Sequence, residues 1–206
     1  MGLWSWLTGR GRREDDKPRP AVVLTVRAER LLAVPDLGVV RRSEWLPRER
    51  EERSFVLGPD GMPTGRLRHE RDRWVIFTDD GAGMVNPSSA RLHTLGLYCF
   101  RIRGVTYHEG AVTAGNFRPG TRVRLVREPG NEHDPNAIAV YAPGADRPAG
   151  YVNKLNAKRL TKRLEAGDKL TAISVRGTRP GEIGPAPWVL VASTEIISHL
   201  LRGPQP

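Results

Sequence analysis

The stretch Leu125-Val126-Arg127-Glu128-Pro129-Gly130-Asn131-Glu132-His133-Asp134-Pro135-Asn136-Ala137-Ile138-Ala139-Val140 constrains the fold more than any other part of the chain. It sets two apolar runs on either side of a polar turn. The Pro, Gly, Asn and Asp residues of the turn disfavour regular structure, and the Asn and Asp side chains can bond their own backbone. An ordered loop between two strands is therefore predicted. Such a loop can present side chains to a ligand. Asn131, Asp134 and Asn136 serve either that ligand or only the backbone amides of the loop, and the sequence leaves both readings open. Ahead of the turn, Arg122 and Arg124 alternate with Val123 and Leu125, so both arginines point away from the core. There they either keep the surface solvated or follow an anionic backbone.

The same grammar of short runs and turns extends on both sides. Strands are predicted at Tyr98 to Thr106, Arg122 to Val126, Ala137 to Tyr141 and Gly150 to Val152, and again at Leu170 to Arg176 and Trp188 to Ala192. Between these sets lies one amphipathic helix. Ala157, Leu160 and Leu164 share a face of it, Lys158, Arg159, Lys162 and Arg163 lie off that face, and Gly167 supplies the stop. Asn153 can cap its start, so the free amides beside Lys154 would face an anion. The fold class is mainly β with a short helix, a small barrel or curled sheet over residues 96–195, followed by a tail over residues 196–206.

A smaller β-rich unit of unknown kinship is predicted before it, over residues 21–95. Ala21 to Val26 reads as a strand and Leu37 to Val40 as a short one. Arg48 to Arg53 mixes charges of both signs and reads as a solvated turn or helix end. Phe55-Val56-Leu57 and Gly65-Arg66-Leu67 flank a Gly/Pro turn as a hairpin would, and Trp74 to Phe77 forms a third run. Asn86-Pro87-Ser88-Ser89 suits a helix start. The boundary between the two units is placed between about Met84 and Gly96. Residues 1–20 are charged and lack apolar periodicity after Gly9, which reads as a disordered segment.

Charge points to the partner. Net charge is +3 over residues 1–95, +7 over residues 96–178 and zero beyond, so the positive field belongs to the second unit. Of the 33 basic residues 28 are Arg, which suits bidentate phosphate contact and stacking on bases. With Cys99 as the one cysteine, neither an intrachain disulfide nor a cysteine-based zinc site can form, and a cytoplasmic setting is the default. The five histidines show no metal-ligand spacing, no cofactor motif is present, and no apolar run approaches the roughly 20 residues of a membrane span. The Trp4 and Trp6 pair followed by arginines fits either a weak interfacial anchor or an ordinary terminus.

Four ordered matches over about 80 residues give the second unit its kinship. The turn with its Arg127-Glu128-Pro129 step, Asn131, His133-Asp134 and Asn136-Ala137-Ile138 is preceded by Gly104-Val105-Thr106-Tyr107 with Gly110. It is followed by Gly150-Tyr151-Val152 and by the helix from Lys154. This part of the chain resembles a HIRAN domain, a small β-rich module that holds the 3′ end of a single DNA strand. The resemblance implies that Tyr107 stacks on a base and that Asn131, His133 and Asp134 line an end pocket, with Asp134 accepting the terminal hydroxyl. It further implies that Tyr151 and Lys154 complete the pocket and that the setting is DNA repair or replication restart beside a separate helicase or nuclease. Arg122, Arg124 and Lys158 would extend the nucleic-acid contact. Two positions depart from the family pattern: Thr106 stands where an Arg is expected, and His133 replaces a tyrosine with a titratable ring.

Two other classes of function remain open in the sequence. The first unit could bind a protein while the second targets it to DNA, as an adaptor would. Glu128, His133 and Asp134 could in principle hold a metal for phosphodiester hydrolysis, although one His and two carboxylates in a turn lack a second ligand set. No catalytic motif is found, so the chain is read as a binding module and not as an enzyme.

Overall fold

The computed structural model describes residues 44–203. Antiparallel strands dominate it: β1 (Gly65–Glu70), β2 (Arg73–Thr78), β3 (Met84–Val85), β4 (Tyr98–Arg101), β5 (Arg122–Arg127), β6 (Ile138–Tyr141), β7 (Gly150–Tyr151), β8 (Leu170–Arg176) and β9 (Trp188–Ser193). Helices α1 (Arg48–Ser54), α2 (Ala90–Thr94), α3 (Glu109–Ala114), α4 (Lys154–Glu165) and α5 (Thr194–Leu200) are short apart from α4. The hydrogen-bonded series β4-β9-β8-β5-β6-β7 returns on itself, because Arg103, just past β4, and Tyr151 in β7 exchange backbone bonds of 2.8 and 2.9 Å. Six strands thus close a small barrel, which leaves the ring without an open edge.

Both faces of β8 and β9 are covered, which explains their nearly unbroken apolar runs. Ala172, Val189 and Val191 point into the barrel with Phe100, Phe117, Ile138, Val140 and Leu160. Ile173, Val175, Leu190 and Ala192 point out of it, onto Phe55, Ile76, Val85, Leu92, Ile197 and Leu200. Period-two alternation along these strands thus feeds two cores at once.

The second core changes the reading of residues 44–95. They have no separate core: β2 pairs with β8 at Arg73 and Arg176, and Phe55, Ile76, Val85 and Leu92 pack against barrel strands. The stretch between Met84 and Gly96, expected to be a boundary, carries β3 and α2 and passes through this shared core. Short strands look alike in sequence whether they cover their own core or a neighbour's. The strands expected at Ala21 to Val26 and Leu37 to Val40, and the segment 1–20, lie outside the described residues.

Local differences have local causes. Arg48–Ser54 is a full helix after Pro47, anchored by the buried Glu51, whose carboxylate accepts from the Asn86 N–H (2.7 Å) and from the Ser89 hydroxyl. Phe55 to Leu57 is not a strand, and the hairpin is β1–β2, turning at Arg71-Asp72. The strand expected to reach Thr106 stops at Arg101, because Gly104 turns the chain at φ 73° into a 3-10 turn at Val105–Tyr107 and then α3. The expected tail contains α5, capped by Ser193, with Ile197 and Leu200 buried.

One junction between the two cores is titratable. His93 on α2 faces Arg159 on α4, with 2.7 Å between Nδ1 and Nη1, and its ring lies 5.5 Å from that of Tyr98. Burial pushes the ring below the usual histidine value, and the nearby Arg159 guanidinium adds to this. A histidine depressed in the folded state takes its proton more readily when unfolded. It therefore lowers stability as pH falls through about 6.5 toward the folded value. Denaturant melts should show less stability at pH 5.5 than at pH 7.5, with a weaker dependence in His93→Gln; an identical dependence in that variant would clear His93 of the effect.

Candidate nucleic-acid interface

Closure of the barrel builds the site. Gly150 crosses Arg103 so closely that a Cβ there would sit 2.3 Å from the Arg103 carbonyl oxygen, at a φ of 145° that side chains rarely adopt. This crossing sets Tyr151 against the 3-10 turn, with the His108 ring 5.7 Å from the Tyr151 ring. Burial raises the Tyr151 hydroxyl above its usual value, and the neighbouring Glu128 carboxylate, to which the hydroxyl donates, raises it further, so the phenol stays protonated. Tyr107, one residue before His108, is 89% exposed. A large aromatic ring held in solvent on a hydrogen-bonded turn is an open stacking platform.

The turn after β5 is as ordered as its composition demands. Glu128 N–H donates to the Ala137 carbonyl (2.9 Å), closing the loop at its base. Asn131 gives its Nδ2 to Glu128 Oε2 (3.1 Å) and takes the His133 N–H on Oδ1 (3.0 Å). Asp134 Oδ1 accepts from the Asn136 backbone N–H (2.8 Å), leaving Oδ2 for a ligand. The carboxamide of Asn131 and one oxygen of Asp134 thus hold the loop, and His133, between them in sequence, is exposed.

The basic residues divide by what already engages them. Lys154 and Lys158 are exposed on the first turns of α4, whose start is capped by Asn153 Oδ1 accepting from Asn156 N–H at 3.0 Å. Losing that cap in Asn153→Ala should lower stability by about 1 kcal/mol. A thermal shift smaller than that of a surface control such as Lys162→Ala would contradict the capping role. Arg122 is exposed on β5. Arg124 is also exposed, yet its guanidinium lies 4.3 Å over the Tyr141 ring and donates to the Ala145 carbonyl at 3.1 Å. Arg163 is turned inward onto Asp168 and the Gly96 carbonyl.

Glu128 links Tyr151 to the turn, since it faces Tyr151 and accepts from Asn131, and Tyr107 adjoins Tyr151 through its chain neighbour His108. Three participants were not singled out for this surface in the sequence. Glu128 faces Tyr151, His108 packs on it, and Ile183 is 94% exposed in a groove shared with Thr106, Val105 and Arg101. Ile183 did leave a signal, an isolated apolar residue within the Gly/Pro-rich loop between β8 and β9. Among the described residues no group of three His, Cys, Asp or Glu side chains is placed to hold a metal, so Glu128, His133 and Asp134 do not converge as a ligand set. No helix among them is long and apolar enough to cross a membrane.

Residues 95–186 match the HIRAN domain family model. The chain carries a HIRAN domain. Five of the six barrel strands, the Tyr107 turn, the loop from Glu128 to Ala137 and α4 lie within it, whereas β1–β3 precede it and β9, the sixth barrel strand, follows it. Two solved structures are similar. The crystal structure of the HIRAN domain of human HLTF shares 19% identity at a TM-score of 0.37, covering 51% of this chain and 83% of that one. A protein from Lactobacillus plantarum shares 21% identity at a TM-score of 0.35, covering 47% of this chain and 96% of that one. No curated protein matches the chain.

Proposed function

We propose that the HIRAN domain of this chain binds single-stranded DNA and takes its 3′ end at the surface formed by Tyr107, Asn131, His133, Asp134, Tyr151 and Lys154. The observation that carries the reading is Tyr107, an aromatic ring 89% exposed on a turn whose next residue, His108, packs on Tyr151, itself three residues before the lysine-bearing helix start capped by Asn153. Tyr107 stacks on a base, a contact that tolerates any sequence. Asp134 accepts the terminal hydroxyl on its free oxygen, Tyr151, its hydroxyl held by Glu128, lines the sugar with its ring, and Lys154 with the amides of α4 neutralises a phosphate. Arg122 and Lys158 extend the positive field, and Arg124 adds to it from its place over Tyr141.

The domain's task in this reading is recognition, in a cytoplasmic setting, with any strand separation or cleavage supplied by a separate helicase or nuclease during repair or replication restart. Titrating a fluorescently labelled single strand and a blunt duplex of the same sequence at low salt tests it. The single strand should bind at least tenfold more tightly, with affinity falling as salt rises. Equal affinity for both, or no binding to either, would sink the proposal.

A further inference from the structure

Strand pairing aligns four side chains on the outside of the barrel. Arg73 of β2 lies opposite Arg176 of β8, Arg176 opposite Trp188 of β9, and Trp188 opposite Arg101 of β4. Directly opposed residues share a face, and three strand spacings make this row about 15 Å long. Opposed like charges such as Arg73 and Arg176 are unfavourable for folding alone. Asp72 bridges them, with Oδ1 accepting from Arg73 Nε at 3.3 Å and Oδ2 from Arg176 Nε at 2.9 Å. Glu70 lies opposite Arg73 across β1–β2, so Asp72 and Glu70 together offset the two guanidiniums, and the positive charge left on the row is that of the exposed Arg101, which has no ion pair among the described residues.

The aromatic member of the row packs against the second core without being enclosed by it. Trp188 is only partly buried, and with Trp74 it lines a cavity of about 80 Å³, together with Leu67, Leu190, Arg73 and Arg176. Planar aromatic and apolar walls beside two guanidiniums match the chemistry of a nucleotide, with its flat base and its anionic phosphate. The row ends near the turn that carries Tyr107, since Arg101 lines a groove with Val105, Thr106 and Ile183. Glu109 and Glu182 line the same groove, and the Glu182 carboxylate accepts from the Arg179 backbone N–H at 3.0 Å.

We propose that the row Arg101, Trp188, Arg176 and Arg73 is a second track for the same single DNA strand, holding its phosphates on the arginines and a base against Trp188. Cations interleaved with an aromatic ring are the arrangement that binds a strand without reading its sequence. Arg73 precedes the HIRAN domain and Trp188 follows it, so the strands that flank the domain acquire a role in binding as well as in covering the second core. The proposal rests on the barrel being a single-strand binder, and the test separates the two claims.

Affinities of the full chain for a 4-nucleotide strand and for a 15-nucleotide strand of the same 3′ sequence are compared by anisotropy, with tryptophan fluorescence recorded alongside. The longer strand should bind at least tenfold more tightly and quench the tryptophan signal, and part of that quench should disappear in Trp188→Phe. In Arg101→Ala/Arg176→Ala the gain from length should shrink to about threefold or less. The slope of log affinity against log salt should fall by about 1.4, from two lost phosphate contacts. Binding of the 4-nucleotide strand should not change in Arg176→Ala alone. Because Arg176 touches Asp72, the single variant Arg101→Glu, at an exposed side chain, serves as a second probe and should also reduce the gain from length. A 15-nucleotide strand that binds no better than the short one, or variants that retain its affinity within twofold, would overturn the track. So would quenching by a poly-glutamate peptide as strong as that by the strand. Loss of short-strand binding in the parent chain, with long-strand binding still sensitive to Arg101, would instead remove the end site and leave the track standing.

Discussion

Tyr107→Ala should weaken single-strand binding by about 1–3 kcal/mol, a loss of roughly 5- to 150-fold, while changing stability by no more than about 0.5 kcal/mol. The two halves of that expectation come from one fact. With 89% of its surface in solvent, the Tyr107 ring contributes almost nothing to either core, so its removal leaves no cavity. Its position is fixed by the backbone alone, through the bond from Tyr107 N–H to the Gly104 carbonyl at 3.0 Å. A ring ordered but unpacked has its stacking face available. Anisotropy titration of the variant, beside its thermal melt, checks both halves. Unchanged affinity would show that no base stacks there, and a drop in stability of several kcal/mol would return the ring to a packing role.

Gly150→Ala should be the most damaging small substitution in the barrel, lowering stability by about 3 kcal/mol or more. A methyl group at that position would meet the Arg103 carbonyl oxygen at 2.3 Å and Ile102 Cγ2 at 2.6 Å. The obstacles are a backbone atom and a buried core side chain, neither of which can swing aside as a surface group would. To this overlap is added the strain of holding φ at 145° with a side chain, each effect being about 1–3 kcal/mol. The variant should open the pairing between Arg103 and Tyr151, so end binding should fall together with stability. Chemical denaturation measures the first and titration at a temperature where the variant stays folded measures the second. A variant as stable as the parent would mean that the closure is looser than the crossing of these two strands implies.

Much of the local structure of the candidate surface could be read from the sequence because its information is local. The turn from Glu128 to Asn136 carries its own hydrogen-bonding instructions, and the loop bonds of Asn131 and Asp134 are those its composition calls for. The same holds for α4, where Asn153 caps the start and Ala157 and Leu160 are buried. What sequence reasoning missed depends on distant pairings. His108 reaches Tyr151 only because the barrel closes, which joins residues more than 40 positions apart, and Glu128 reaches it through the pairing of β5, β6 and β7. The shared second core is invisible for the same reason: nothing in Ile76 or Val85 says that the surface they cover belongs to β8 and β9. The row from Arg73 to Arg101 exists only in the register of four strands.

The central claim, that the surface around Tyr107 and Asp134 takes a strand's 3′ end, is tested most directly by one comparison. Two single strands of identical sequence are titrated at the same salt concentration, one with a free 3′ hydroxyl and one with a 3′ phosphate. The free end should bind at least tenfold more tightly, because the added phosphate removes the hydroxyl donor and brings charge against the free oxygen of Asp134. That preference should vanish in Asp134→Ala. Equal affinity for the two strands in the parent chain would contradict end recognition.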